Sequence, residues 1–345
     1  MINLLLVDDS SFMRLVLADM LESSSQIKVI ATAENGKEAH EKTLSYKPDV
    51  VLLDLIMKDY DGLYAVKQIM SHCPTPIIIL SSLGNTNTAA VFEAIEAGAY
   101  DFMNKPYSEM SARIRDLEAP LLAKIRQASV ADRSRLLQHK ASRNSNPHTF
   151  DSHLSYDILA IGASTGGTGA IEEILKRLPS NFPIPIVIAQ HMPADYVPLF
   201  AKRLDDMLPL TVKVIQQGEK LRKGTVYIAP GNQNTQLVSE GTKDSVRLDF
   251  TDNKFQEFNH PSVDCLMHSV AEVYGNRAIA IILTGMGKDG TTGMKAIFQK
   301  KALTIAQNEK TCVVFGMPKS AIEKGAIQHV LPLQEIPGFV VSCLS

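Results

Sequence analysis

The sequence predicts an α/β protein of two doubly wound parallel-sheet domains in series, joined by a linker. Three observations carry this reading. Short apolar runs alternate with helix-spaced segments over residues 1–118, and the alternation restarts at Asp157. Strands that alternate with helices build parallel sheets covered on both faces. The runs are nearly continuous rather than polar at every second position, as strands buried on both faces require. Between the two series, residues 119–153 carry six Lys or Arg against two Asp, with Ser, Asn, Gln and His interleaved. At roughly 100–200 residues per domain, 345 residues suffice for two cores.

In the first series, Ile2 to Val7 is a strand ending in Asp8 and Asp9, and Phe12 to Leu21 is helical in spacing. Val29 to Ala33 is the second strand, and Glu34-Asn35-Gly36 turns into a helix. Val50 to Leu53 is capped by Asp54, and Leu63 to Met70 is helical. Ile77 to Leu80 ends in Ser81 and Ser82, Ala89 to Ala97 is helical, and Tyr100 to Met103 leads to Lys105-Pro106. This domain is expected to end near residue 118. Lys124 to Gln138 fits a helical spacer, and Ser142 to His153 a flexible linker. The second domain spans 154–345. Ile158 to Ala163 runs into a Gly-rich turn and a helix from Thr168 to Leu178. Ile184 to Ala189 ends at Gln190-His191; Val226 to Ala229 and Ile279 to Leu283 each end in a Gly-containing loop; Leu303 to Ala306 is a shorter run.

Bulk properties exclude several classes. A formal net charge of -2 gives no global attraction to DNA or to an anionic membrane, so nucleic acid is not an expected partner. The N-terminal MINLLLVDDS lacks a basic flank and ends in acids, unlike a signal peptide. No stretch approaches the roughly 18 apolar residues of a membrane span, so no membrane insertion is expected. Cys73, Cys265, Cys312 and Cys343 form no C-x-x-C pair and read as free thiols. A cytoplasmic location is the expectation.

Asp8, Asp9 and Asp54 should converge at the carboxyl ends of neighbouring strands. Three close carboxylates repel one another and call for a cation or for raised pKa values; a hard divalent ion with oxygen ligands fits, and Mg²⁺ is favoured. Ser81 adds a hydroxyl and Lys105 a positive charge, a set suited to a phosphoryl group on a carboxylate. On these residues, 1–118 resembles the receiver domain of a two-component response regulator, with its flavodoxin-type fold. The resemblance implies Asp54 as phosphoacceptor, with Mg²⁺ needed for its phosphorylation. It also implies Ser81 and Lys105 as phosphoryl contacts, and Phe102 as the aromatic that reorients. One departure is visible: Met57 is followed by Lys58 where the family usually has Pro, which bears on the local turn.

The second constellation begins with Gly162-Ala163-Ser164-Thr165-Gly166-Gly167, a tight turn between a buried strand and a helix that exposes a serine hydroxyl. A serine needs a base, which His191 at the next strand end supplies, and a carboxylate to fix the imidazole tautomer, which Asp289 supplies. The chain order Ser, His, Asp differs from that of α/β-hydrolases. A DNA-binding response regulator would carry a basic recognition helix after the first domain, and none is seen. A phosphate-binding module would carry G-x-G-x-x-G or a P-loop lysine, and GASTGG has neither.

Residues 154–345 resemble the Rossmann-like methylesterase domain of the CheB family. The likeness rests on GASTGG, QHMP, Val226-Tyr227-Ile228-Ala229-Pro230-Gly231, His260-Pro261-Ser262-Val263-Asp264, LTGMGKDG and Val314-Phe315-Gly316-Met317-Pro318. It implies Ser164, His191 and Asp289 as a triad, with Thr165 and the Met286 backbone beside the oxyanion. It implies hydrolysis of glutamate methyl esters and deamidation of glutamines on chemoreceptors, without a cofactor for the esterase. A chemotaxis histidine kinase is the implied phosphodonor. The family often has a histidine shortly after Ala-Pro-Gly; here Gly231-Asn232-Gln233-Asn234 stands instead, and altered loop or substrate contacts are expected. His260 reads as a rim or helix-entry residue; Met267 and His268 read as packing.

Overall fold

The computed structural model describes residues 1–82, 88–105, 117–131, 148–150, 154–239, 241, 246–252 and 260–345. The chain divides into two compact units, Met1–Lys140 and Ala141–Ser345.

In the first unit, β1 (Ile2–Val7), α1 (Ser11–Glu22), β2 (Ile27–Ala33), α2 (Gly36–Tyr46), β3 (Val50–Asp54), α3 (Gly62–His72), β4 (Ile77–Ser82), α4 (Thr88–Glu96) and β5 (Asp101–Lys105) alternate strictly. The five strands are parallel in the order β2-β1-β3-β4-β5. Every residue of β3 is buried, which is why its sequence is unbroken Val-Val-Leu-Leu before Asp54. Three helices start at fixed points because a side-chain oxygen takes an orphan N–H of the first turn: Ser10 from Met13, Asn35 from Glu38, Asp61 from Tyr64. The Ser10 cap follows directly on the strand end that carries Asp8.

The compact unit runs past residue 118, to Lys140. Helix α5 (Glu118–Ser129) continues it, burying Leu121, Leu122, Ile125 and Ala128 along one helical face against α1, β3 and β4. Lys124, read from sequence as part of a spacer, pairs with Asp101 of β5. The basic composition of this segment hid a short apolar stripe. Pro106, the expected spacer from residue 132 onward and most of the expected flexible linker lie outside the described residues. Residues 148–150 pack within the second unit: His148 N donates to Asn181 Oδ1 at 2.9 Å, and Phe150 meets Phe182 edge-on.

The second unit contains β6 (Ile158–Ala163), α6 (Gly167–Arg177), β7 (Ile186–Gln190), α7 (Val197–Met207), β8 (Thr211–Val214), β9 (Glu219–Lys220), β10 (Thr225–Ile228), β11 (Asn234–Val238) and β12 (Arg247–Thr251). It continues with α8 (Val263–Tyr274), β13 (Ala278–Ile282), α9 (Thr291–Gln299), β14 (Leu303–Gln307), α10 (Met317–Glu323), β15 (His329–Leu331) and α11 (Ile336–Ser342). Seven parallel strands stand in the order β15-β14-β13-β6-β7-β10-β8. A small antiparallel sheet, β11-β12-β9, is an addition that the sequence did not announce, because its strands are short and polar. Ile161 and Ile281 are fully buried in adjacent central strands, and truncating either to Ala should cost about 2–5 kcal/mol. From β6 the chain builds outward through β7 on one side and returns through β13 on the other. The carboxyl end of β6 is therefore a topological switch point, where such sheets open a crevice for ligands. Among the described residues no helix is long and apolar enough to cross a membrane.

Candidate active sites

The first site lies at the carboxyl ends of β1, β3, β4 and β5. Lys105 Nζ donates to Asp8 Oδ2 and to Asp54 Oδ2, each at 2.5 Å. Asp8 and Asp54 are buried and Asp9 is exposed, and carboxylate oxygens of all three lie within 4.8 Å of one another. One lysine thus faces three carboxylates. Two unit charges about 4 Å apart interact by about 4 kcal/mol at an effective dielectric near 20, so the surplus negative charge is costly. Burial accordingly holds the Asp54 carboxyl above its ordinary range, although Lys105 opposes this. Burial works against the Lys105 charge, but Asp54 and Asp8 together outweigh it and hold Lys105 above its usual value. A net-negative, all-oxygen donor set of this kind matches what hard divalent cations take.

Ser81, one residue before the end of β4, has its side chain fully buried, and its Oγ has no hydrogen-bond partner among the described residues. Phe102 is buried on β5. The loop that begins with Lys58 resolves the turn left open by the missing proline. Asp59 and Tyr60 both adopt left-handed backbone, φ 48° and 49°, which is strained for non-glycine residues. Gly36 N donates to Tyr60 O at 2.6 Å and braces the turn.

The second site lies at the switch point of the larger sheet. Ser164 is the first residue beyond β6, and Gly166, at φ +75°, makes the sharp turn into α6. His191 is the first residue beyond β7. Ala163 and Gln190 pair in register, and His191 N donates to Ala163 O at 3.0 Å. With adjacent strands about 4.8 Å apart, serine and histidine stand side by side. The β13–α9 loop closes over them: Ser164 N donates to Thr284 O at 3.0 Å, and a Cβ added at Gly285 would come within 2.7 Å of Ser164 Cβ.

Asp289, on that loop, is buried, and its Oδ2 lies 2.7 Å from His191 Nε2. This leaves Nδ1 as the ring nitrogen available to act as a base. The carboxylate rests on the N-terminus of α8. Val263 N (2.8 Å) donates to Oδ2, and Asp264 N (2.9 Å), Gly290 N (2.9 Å) and Ser262 Oγ (3.2 Å) donate to Oδ1. Helix N-termini favour negative charge. Burial alone would raise the Asp289 carboxyl, but His191 and the α8 N–H groups hold it below the ordinary carboxylate value.

The two residues expected beside an oxyanion sit on the two loops that meet here. Thr165 is buried and its carbonyl accepts from Thr284 Oγ1 at 2.9 Å; Met286 follows Gly285 and is partly exposed. Several supporting residues escaped sequence reasoning. Gln307, ending β14, accepts from Thr284 N at 2.8 Å and donates to Thr311 O at 2.7 Å, fixing the loop above Ser164. Asn234, the last residue of the run that lacks the family's frequent histidine, is buried and accepts from Ser262 N at 2.7 Å, with His260 Nδ1 at 3.1 Å. This run thus contacts the turn that cradles Asp289, with His260 at its entry. Met267 is fully buried, and His268 Nε2 lies 3.0 Å from Thr292 Oγ1. The Ser262 helix cap was readable as a start signal before an apolar run. Nothing in the sequence said that it points at Asp289.

Fold and sites together define a class: a receiver-type unit in one chain with a doubly wound unit that carries a hydrolase-type serine, histidine and aspartate. Comparison with known proteins narrows it. A family model described as CheB methylesterase matches residues 159–340, and one described as response regulator receiver domain matches residues 4–115. A Thermotoga maritima protein named protein-glutamate methylesterase/protein-glutamine glutaminase is 43% identical over 337 residues, covering 97% of this chain and 96% of that one. A Methanococcoides burtonii protein of the same name is 43% identical over 348 residues, covering 99% and 97%. Among solved structures, the Thermotoga maritima CheB methylesterase catalytic domain aligns with TM-score 0.52 at 42% identity, covering 54% of this chain and 98% of that chain. The chain belongs to the CheB methylesterase family and carries that family's receiver domain in front of the catalytic one.

Proposed function

We propose that this protein hydrolyses methyl esters of glutamate side chains on chemoreceptors and deamidates receptor glutamines, and that phosphorylation of Asp54 regulates both reactions. The observation that carries the esterase reading is the 2.7 Å contact between His191 Nε2 and the buried Asp289, beside Ser164 at the switch point. Ser164 Oγ attacks the ester carbonyl and passes its proton to His191 Nδ1. Asp289 stabilises the imidazolium and keeps the proton on Nε2. Backbone N–H groups of Thr165 and Met286 hold the tetrahedral oxyanion. The carbon–oxygen bond to the methoxy group breaks, and His191 returns the proton to departing methanol. Water, deprotonated by His191, then attacks the acyl-serine and releases glutamate and Ser164. With glutamine the same steps release ammonia.

In the receiver, Asp54 attacks the phosphorus of a phosphohistidine on a chemotaxis kinase, and the phosphorus–nitrogen bond breaks. Asp8, Asp9 and Asp54 would hold Mg²⁺, which neutralises phosphoryl oxygens when bound. Lys105 contributes a second positive charge, and the buried Ser81 hydroxyl supplies a hydrogen bond to the phosphoryl group, with Phe102 turning into the space vacated. The test is methanol release from methylated receptors, with and without a small phosphodonor. Wild type should turn over faster with the donor, and Ser164→Ala should release no methanol in either case while remaining folded. Wild-type turnover by Ser164→Ala would remove the serine from the mechanism.

A further inference from the structure

We infer that Gln190 is a positioning residue of the esterase, a clamp that sets nucleophile and base in register; this rests on the Ser164–His191–Asp289 reading above. Gln190 is the last residue of β7, and its side chain is almost wholly buried, 4% exposed. Its Nε2 donates twice, to the carbonyl oxygen of Ser164 at 3.0 Å and to that of His191 at 2.9 Å. One amide therefore bridges the two residues between which the proton must pass.

The orientation of that amide is forced. Exchanging its oxygen and nitrogen would set Oε1 against two carbonyl oxygens. As it stands, Oε1 rests on Gly167, where an added Cβ would come within 2.1 Å, and it has no hydrogen-bond partner among the described residues. An unsatisfied buried oxygen weakens the fold, and an apolar side chain of the same shape would be easier to bury. The amide is thus poorly explained by stability. Its two donors are explained by what they hold. Each carbonyl is one bond from the Cα of a reacting residue, so fixing both carbonyls fixes where Ser164 Oγ and His191 Nδ1 meet. The main-chain bonds from His191 N to Ala163 O and from Gly167 N to Ser164 O hold each residue separately, whereas the Gln190 amide bridges the two.

The experiment uses the full-length, phosphorylated protein with methylated receptors. Gln190→Met keeps the length and removes both donors. Gln190→Glu keeps the shape and sets a carboxylate against the two carbonyls. Active serines are counted by stoichiometric labelling with an organophosphonate, so that unfolded protein does not enter the rate. A misplacement near 1 Å can cost a reaction about 100-fold, so kcat per labelled serine should fall on the order of 10- to 100-fold in Gln190→Met. The fall should be larger in Gln190→Glu, with KM within about twofold of wild type in both, since substrate binding is untouched. Wild-type kcat per labelled serine in both variants would overturn the assignment, as would a loss carried entirely by KM or by fewer labelled serines. Ser164→Ala in parallel separates the two readings. Retained turnover there defeats the triad itself, whereas loss there with unimpaired Gln190 variants defeats only the clamp.

Discussion

Replacing Asp289 by Asn tests how the carboxylate cradle governs the histidine. In the wild type, three donors aim at Oδ1, two of them rigid backbone N–H groups of Asp264 and Gly290. Among the described residues only Val263 N and His191 Nε2 address Oδ2. An asparagine must place its amide nitrogen in one of these positions, and the Oδ2 position opposes fewer fixed donors. There the nitrogen meets the Val263 N–H head-on and donates to His191 Nε2. The imidazole proton then moves to Nδ1, the nitrogen that has to accept from Ser164. The same tautomer error in serine proteases lowers the rate by roughly 10⁴, and that is the fall expected in methanol release here. Leaving the buried Val263 N–H without an acceptor should also destabilise the second unit by about 1–3 kcal/mol. The assay is methanol release at neutral pH, with unfolding measured in parallel by urea titration. A rate loss under about tenfold in folded protein would refute the reasoning, and Asp289 would then be a helix-capping residue rather than a partner of His191.

Further outcomes concern the receiver. With Mg²⁺ and a radiolabelled small phosphodonor, wild type should take up label and Asp54→Asn should not; full labelling of the variant would move the phosphoacceptor elsewhere. Chelating the divalent ion should stop labelling while leaving methanol release by the unphosphorylated chain unchanged; undiminished labelling in chelator would remove the ion from the acidic cluster. Burial holds the Asp54 carboxyl above its unfolded value, so its favourable contribution is complete only below the unfolded pKa and is lost as pH rises through the folded one. Asp54→Asn should therefore raise the urea midpoint of the first unit at neutral pH, with the gain shrinking toward roughly pH 4. An unchanged midpoint would mean that Lys105 compensates the charge fully. If the receiver restrains the esterase, residues 154–345 alone should outpace the unphosphorylated full chain, and a phosphodonor should speed only the full chain; a much slower fragment would make the receiver an activator.

The sequence alone determined where chemistry could gather. Parallel strands buried on both faces appear as unbroken apolar runs, and a polar residue at the end of such a run stands on the sheet's carboxyl edge. Asp8, Asp54, Ser81, Lys105, Ser164 and His191 were all legible in that way, because strand direction carries each to the carboxyl edge of its own sheet whatever the loops do. Tertiary structure decided everything that depends on where a side chain points or on distant packing. The packing of helix α5 onto the first unit was hidden by its charged exterior, and the β11-β12-β9 sheet by short polar strands whose partners are remote in sequence. The cradle of Asp289 joins residues 25–27 positions apart, and no local period encodes such a contact. Whether His191 meets Asp289 through Nε2, and whether the Gln190 amide reaches inward to two carbonyls, depends on rotamers set by close packing around the switch point. Pattern places a residue on an edge; only the packed interior aims it.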